Sequence, residues 1–155
     1  MKHRVGWLVA GAVGGLLALG PMQSRSEAGT GPATIRITDR EVLVTRVDVG
    51  TPGTSPGDTE VISQRLFNQR VTPKSIGHSE LVCTFVDSKR MRVCRGTYVL
   101  PRGKVVVGGS LDYRQFYDLA VLGGTGLYDN ARGSVTVTRT HRRPVRNLVV
   151  MRLVG

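Results

Sequence analysis

The chain has 155 residues, a formal net charge of +11, 40% hydrophobic residues and only 5% aromatic ones. That length supports one domain, either a single packed core or one small closed barrel, and excludes a multidomain assembly. Such a charge predicts salt-sensitive attraction to anionic cell-wall polymers, anionic lipid headgroups or nucleic acid.

Lys2, His3 and Arg4 form a basic start, followed by an apolar run from Val5 to Leu19 that is broken only by small residues. The run is too short to span a bilayer comfortably, and Ser26-Glu27-Ala28 places small residues at the positions a signal peptidase requires. The sequence therefore predicts a secretory signal over residues 1–28 and a secreted domain over 29–155, with 29–33 as a flexible start. An uncleaved membrane anchor is the alternative. Losing Lys2, Arg4, Arg25 and Glu27 with the signal leaves a charge of +9.

From Thr34 onward the pattern is β throughout. Strand candidates are Thr34 to Val49, Thr59 to Phe67, Ser75 to Val86, Met91 to Leu100, Lys104 to Leu111, Phe116 to Leu122, Ser134 to Thr140 and Val145 to Val154. All are rich in Val, Ile, Thr or aromatic residues and are separated by Gly, Pro, Asp or Asn. Gly50 to Gly57 is a loop by composition. No window of helical length repeats apolar residues at 3.6 spacing. Such strands form an antiparallel sheet, folded as a sandwich or closed as a barrel, and periodicity does not choose between them.

Val42-Leu43-Val44 and Val105-Val106-Val107 are apolar on both faces, which predicts a covered outer surface and a homo-oligomer. A lone sandwich with an imperfect pattern is the other reading. Cys83 and Cys94 are the only cysteines. Folding the chain about Ser88 and Lys89, with Asp87 to Arg90 as a four-residue loop, sets them opposite each other at a non-hydrogen-bonded pair. In an exported protein they are expected to be oxidised; two reduced thiols, one of them in a pocket, is the competing reading. No histidine or further cysteine stands at metal-ligand spacing, so no metal and no cofactor is implied.

Two basic clusters stand out: Lys89, Arg90, Arg92 and Arg95 around the cysteine hairpin, and Arg139, His141, Arg142, Arg143 and Arg146 near the C-terminus. Neither contains an aromatic residue, which argues against specific single-strand nucleic acid binding. Anionic envelope polymers are the partner such clusters fit, and plain solvated turns are the alternative.

Phe116 to Gly133 joins two strands through the glycine-dense run Gly123-Gly124-Thr125-Gly126-Leu127-Tyr128-Asp129-Asn130-Ala131-Arg132-Gly133. This resembles the strand-turn-strand signature of plant dirigent proteins and allene oxide cyclases. Gly57-Asp58 with Arg65-Leu66-Phe67-Asn68, Leu81-Val82-Cys83, and Gly96 to Gly103 are similar to further segments of the same superfamily. The resemblance spans about Asp58 to Arg139 and implies an eight-stranded antiparallel β-barrel with an apolar central cavity, commonly trimeric.

Allene oxide cyclases rely on a glutamate in the first strand and a proline in the second. Here Val42 to Val47 carries no carboxylate until Asp48, and Val61 takes the proline's place. Dirigent proteins, the nearer match at Val121 to Gly133, steer phenoxy-radical coupling without making the radicals. Their early double-aspartate motif has only Asp58 as a counterpart.

The candidate polar groups at the cavity mouth are Asp58, Tyr98, Asp118, Tyr128 and Arg132. Asp118 with Arg132 forms a candidate acid–base or carbonyl-polarising pair, and Asp58, Tyr98 and Tyr128 are candidate ligand contacts. A turn-holding role for Arg132 and core packing for the tyrosines are the alternatives. Three functions follow: a secreted dirigent-like barrel that binds an apolar or phenolic small molecule and steers its coupling or cyclisation; a cyclase or isomerase; or a basic barrel that binds the envelope without chemistry.

Overall fold

A computed structural model of the protein describes residues 33–69, 73–112, 116–139 and 146–154. The expected signal over 1–28 lies outside these residues, as do His141, Arg142 and Arg143. Eight strands are present: β1 Ala33–Val47, β2 Thr59–Asn68, β3 Gly77–Phe85, β4 Arg92–Leu100, β5 Gly103–Leu111, β6 Phe116–Gly126, β7 Arg132–Arg139 and β8 Arg146–Val154. Each pairs antiparallel with the next, and β8 pairs back on β1 from Ala33↔Leu153 to Arg40↔Arg146, closing a barrel. Closure decides between the two architectures left open by periodicity, because it removes both sheet edges.

Alternation follows from the pleat. In β3, Ser79, Leu81, Cys83 and Phe85 are buried, while Glu80, Val82 and Thr84 face solvent. Tyr98, Leu66, Leu81, Leu119 and Met151, with Val105, Val107, Val135, Val137 and Val149, fill the interior. The apolar central cavity implied by the family resemblance is therefore absent among the described residues. Branched and aromatic side chains from all eight strands meet on the axis, as in other small barrels.

Two bulges adjust the register. One lies at Val42 in β1, between Glu41 and Leu43; the other lies at Leu122 in β6, between the pairs Val107↔Val121 and Val106↔Gly123. The second lets β6 run on through Gly126 instead of ending at Leu122, so the turn occupies residues 127–131. Gly126 takes φ +65, and a Cβ there would lie 2.6 Å from the Arg102 carbonyl oxygen. That carbonyl accepts the Leu127 N–H at 2.9 Å, locking the β4–β5 and β6–β7 turns together. Gly133 has φ +130, and a Cβ there would meet the Arg152 carbonyl oxygen at 1.9 Å. Both positions exclude side chains.

Cys83 and Cys94 are cross-strand partners joined as a disulfide, with Cα atoms 4.0 Å apart, the narrow spacing of a non-hydrogen-bonded pair. The Val86 N–H donates to the Met91 carbonyl, leaving Asp87 to Arg90 as the expected four-residue loop. Asp87 Oδ1 caps it by accepting the N–H groups of Lys89, Arg90 and Met91. On the outer face Val42, Leu43 and Val44 are exposed, and Val106 points outward between buried Val105 and Val107.

Candidate functional site

The barrel has two unlike ends. Turns β4–β5 and β6–β7 lie at one, the glycine-turn end; the β1–β2, β3–β4, β5–β6 and β7–β8 connections lie at the other. Lys89, Arg90 and Arg92 of the first basic cluster and Arg139 and Arg146 of the second fall at this second end, the basic end of the molecule.

Beneath the basic end the interior is polar on one side. Inward alternation along β1 runs Ile35, Ile37, Asp39, Glu41, so the strand's last two inward positions before the bulge are carboxylates. Ladder partners extend this into a belt. Asp39 faces Asn147, which faces Arg139; Glu41 faces Gln64, which faces Ser79, which faces Tyr98. Six strands, β7, β8, β1, β2, β3 and β4, thus contribute polar side chains to these ladders; β6 adds the Tyr117 phenol, and β5 and β6 otherwise contribute Val105, Val107, Leu111, Leu119 and Val121.

The belt is partly bonded. Asn147 Nδ2 donates to Asp39 Oδ1 at 2.6 Å, and Ser79 Oγ donates to Gln64 Oε1 at 2.8 Å. Arg139 Nη2 donates to Glu41 Oε2 at 3.2 Å, and Arg92 Nη1 pairs with Glu60 Oε2. Asp39 Oδ2, Asn147 Oδ1 and the Tyr98 hydroxyl are buried with no hydrogen-bond partner among the described residues. Unpaired polar atoms at such depth cost on the order of 1–3 kcal/mol each unless a water serves them.

Burial pushes the Asp39 carboxyl up to about 7, against the opposing hydrogen bond from Asn147. At neutral pH it both gives and takes a proton, the property a general acid–base group needs. Burial also holds the Tyr98 and Tyr117 phenols well above their usual range, so both stay neutral donors. A hollow of about 20 Å³ opens here, bordered by Glu41, Gln64, Cys83, Arg92, Tyr117 and Asn147. It is polar and has room for about one water molecule.

Of the sequence-predicted residues, Tyr98 alone joins this belt. Asp58 is buried at the base of the β1–β2 loop, where its carboxylate accepts the Val49 and Ser55 N–H groups, each at 2.9 Å, and the Ser55 hydroxyl. Those bonds, the Val49 N–H foremost, hold its carboxyl below the usual range and make it the clamp of the loop. Asp118 lies on the outer face of β6 and accepts the Thr136 hydroxyl at 2.6 Å. Arg132 stands at the glycine-turn end and donates to the Ala131 carbonyl at 2.9 Å, the turn-holding role. Tyr128 is buried in that same turn. Asp118 and Arg132 are therefore not brought together.

The expectation that the first strand lacks a carboxylate before Asp48 is corrected by Asp39 and Glu41, both inside the barrel. The period-two series beginning at Ile35 was the signal that identifies them.

No family model matches the sequence, and no curated protein does so at a significant level. Solved structures do match. A pyocyanin demethylase superposes with a TM-score of 0.68 and 25% identity, over 78% of this chain and 99% of that one. The Diels Alderase AbmU from Streptomyces koyangensis gives 0.65 and 20%, over 84% and 72%. The pterocarpan synthase dirigent protein PsPTS1 gives 0.63 and 11%, over 82% and 98%. The fold is thus that of the dirigent proteins and of the cyclase barrels.

Proposed function

We propose that this barrel receives a small unsaturated organic molecule in the open cleft at the rim of its basic end and steers its cyclisation or coupling, with Asp39, reached by way of the one-water hollow, as the proton donor and acceptor. The observation that carries the reading is Asp39 itself: a buried carboxyl raised to about 7, one oxygen held by Asn147 and the other without a partner among the described residues, beside neutral phenols. A fixed acid next to fixed donors restricts a reactive ligand to one conformer and stabilises charge as it develops. Arg92, which borders both the hollow and the open cleft, favours an enolate or alkoxide on the cleft side. The shared fold with dirigent and cyclase barrels supports this class of chemistry.

The test compares metabolites of the producing strain carrying wild-type protein with those of one carrying Asp39→Asn. Loss of one product, or relaxation of its stereochemical purity to the uncatalysed ratio, is the expected result. An unchanged profile from folded, exported variant defeats the proposal.

A second reading follows from the 25% identity to a pyocyanin demethylase: the barrel demethylates an aromatic substrate, the methyl leaving as formaldehyde with water supplying its oxygen and the substrate's own redox-active ring taking up the two electrons. Incubating the purified chain with pyocyanin and finding only unchanged pyocyanin by mass spectrometry eliminates that substrate. Export is supported by the basic and apolar start and by the disulfide, and predicts a mature N-terminus near Gly29. The apolar strip at Val42 to Val44 supports self-association, to be read by light scattering.

A further inference from the structure

Beside the hollow, at the rim of the basic end, lies an open cleft of about 410 Å³ whose walls include Arg46, Glu60, Phe85, Lys89, Arg90 and Arg92. Four cations thus face one carboxylate. Glu60 is paired with Arg92 and Asp58 lies within electrostatic reach of Arg46, yet the cleft walls themselves keep more cations than carboxylates. The Arg46 Cζ lies 4.8 Å from the centroid of the Phe85 ring and the Arg92 Cζ 5.4 Å from it. Cation–π stacking of this kind orients a guanidinium while leaving its N–H edge available to a planar acceptor. Across the cleft, the backbone of Lys89 and Arg90 is held by the Asp87 cap, so both side chains start from a fixed base.

Arg92 borders both the cleft and the hollow that contains Asn147. A ligand reaching toward Asp39 would therefore pass its other end along the stacked arginines. We infer that the cleft is a carboxylate site, and that the small molecule handled by this barrel is an unsaturated or aromatic carboxylic acid whose anionic head sits between Arg46 and Lys89. This rests on the reading of Asp39 given above for the ligand's reactive end, but not for the existence of the anion site. A planar carboxylate matches the edge of a stacked guanidinium, whose paired N–H groups it accepts in bidentate fashion.

The test uses the full mature chain and two fluorescent probes of the same skeleton: 8-anilinonaphthalene-1-sulfonate, which is anionic, and N-phenyl-1-naphthylamine, which is not. The anionic probe is expected to bind about tenfold tighter or more, the effect of one or two charge-assisted contacts. Arg46→Gln with Lys89→Gln should remove that advantage and leave the neutral probe unaffected. Arg102→Gln with Lys104→Gln, an equal loss of charge at the glycine-turn end, should change anion binding less than about twofold. Should Arg46→Gln disturb folding, Arg90→Gln alone, at an exposed position, must still weaken the anionic probe severalfold.

Benzoate displacing the probe at lower concentration than inorganic phosphate supports the carboxylate assignment; the reverse order overturns it. Equal affinity for the two probes, equal losses in the two double variants, or displacement by long polyanions alone also overturns it. Asp39→Asn is expected to keep anion binding intact. If it also leaves the product profile unchanged, the acid–base reading fails while the anion site stands.

Discussion

The two ends of the barrel are built on opposite principles. At the glycine-turn end, Gly126 and Gly133 press backbone against backbone, and Tyr128, Leu100, Ala131 and Leu153 are buried around them. At the basic end, carboxylates, amides, phenols and guanidiniums line the interior, and Asp39 Oδ2, Asn147 Oδ1 and the Tyr98 hydroxyl lack partners among the described residues. One end spends its residues on closure; the other holds reactive groups at a cost in stability. Substitutions at the first should therefore break the fold, and substitutions at the second should alter chemistry while the fold survives.

The largest effect is expected for Gly133→Val. Its Cβ would lie 1.9 Å from the Arg152 carbonyl oxygen at φ +130, so the β7–β8 ladder must part, costing at least about 3 kcal/mol in urea unfolding. A variant that unfolds like wild type would show that the close approach is not needed. Next, Cys83→Ala with Cys94→Ala should cost about 2–3 kcal/mol by release of a short loop, and dithiothreitol should then have no further effect on the midpoint.

Asp39 comes third, and its effect has a sign. The folded carboxyl sits at about 7, above its ordinary 3.8, so the folded state binds the extra proton. Its contribution to stability is complete below about pH 4 and is lost as pH rises through about 7. Asp39→Asn should flatten the fall in stability between those limits and raise stability at pH 8 by on the order of 2 kcal/mol. A pH profile parallel to that of wild type would mean that Asp39 ionises as an ordinary carboxyl. Smallest are Asp118→Ala and Arg132→Ala, which remove one exposed and one part-buried hydrogen bond at separate places. Each should cost less than about 1 kcal/mol and leave any product ratio unchanged. A changed ratio from either would bring the outer face of β6 or the glycine turn back into the site.

Much of this barrel is legible in the sequence, for physical reasons that also explain what is not. Eight β-rich runs separated by Gly, Pro and Asp correspond to the eight strands, because turn chemistry is local. The pairing of Cys83 with Cys94 is equally local, set by one four-residue loop. Asp39 escapes because the alternation that identifies it is interrupted at Val42. An inserted residue reverses which side chains face inward, so reading β1 from Val42 to Val47 hides the two carboxylates before the bulge.

The polar belt escapes for a different reason. Its members meet only on closure, with Asp39 and Asn147 separated by 108 positions in the chain. The glycine run is highly legible and marks the fold, yet its residues lie at the end opposite the acid. Nothing in a turn motif specifies which end of a barrel is to carry the chemistry.

Both sulfur atoms belong to fully buried residues facing the barrel's inside, one of them on the wall of the polar hollow. No oxidant of protein size reaches them once β8 has docked on β1. Exchange with a protein oxidant therefore requires the β3–β4 hairpin to be exposed, before the ring seals or on its reopening. A chain sealed in a reducing compartment would instead carry two buried thiols, Cys83 among them on the wall that Arg92 shares.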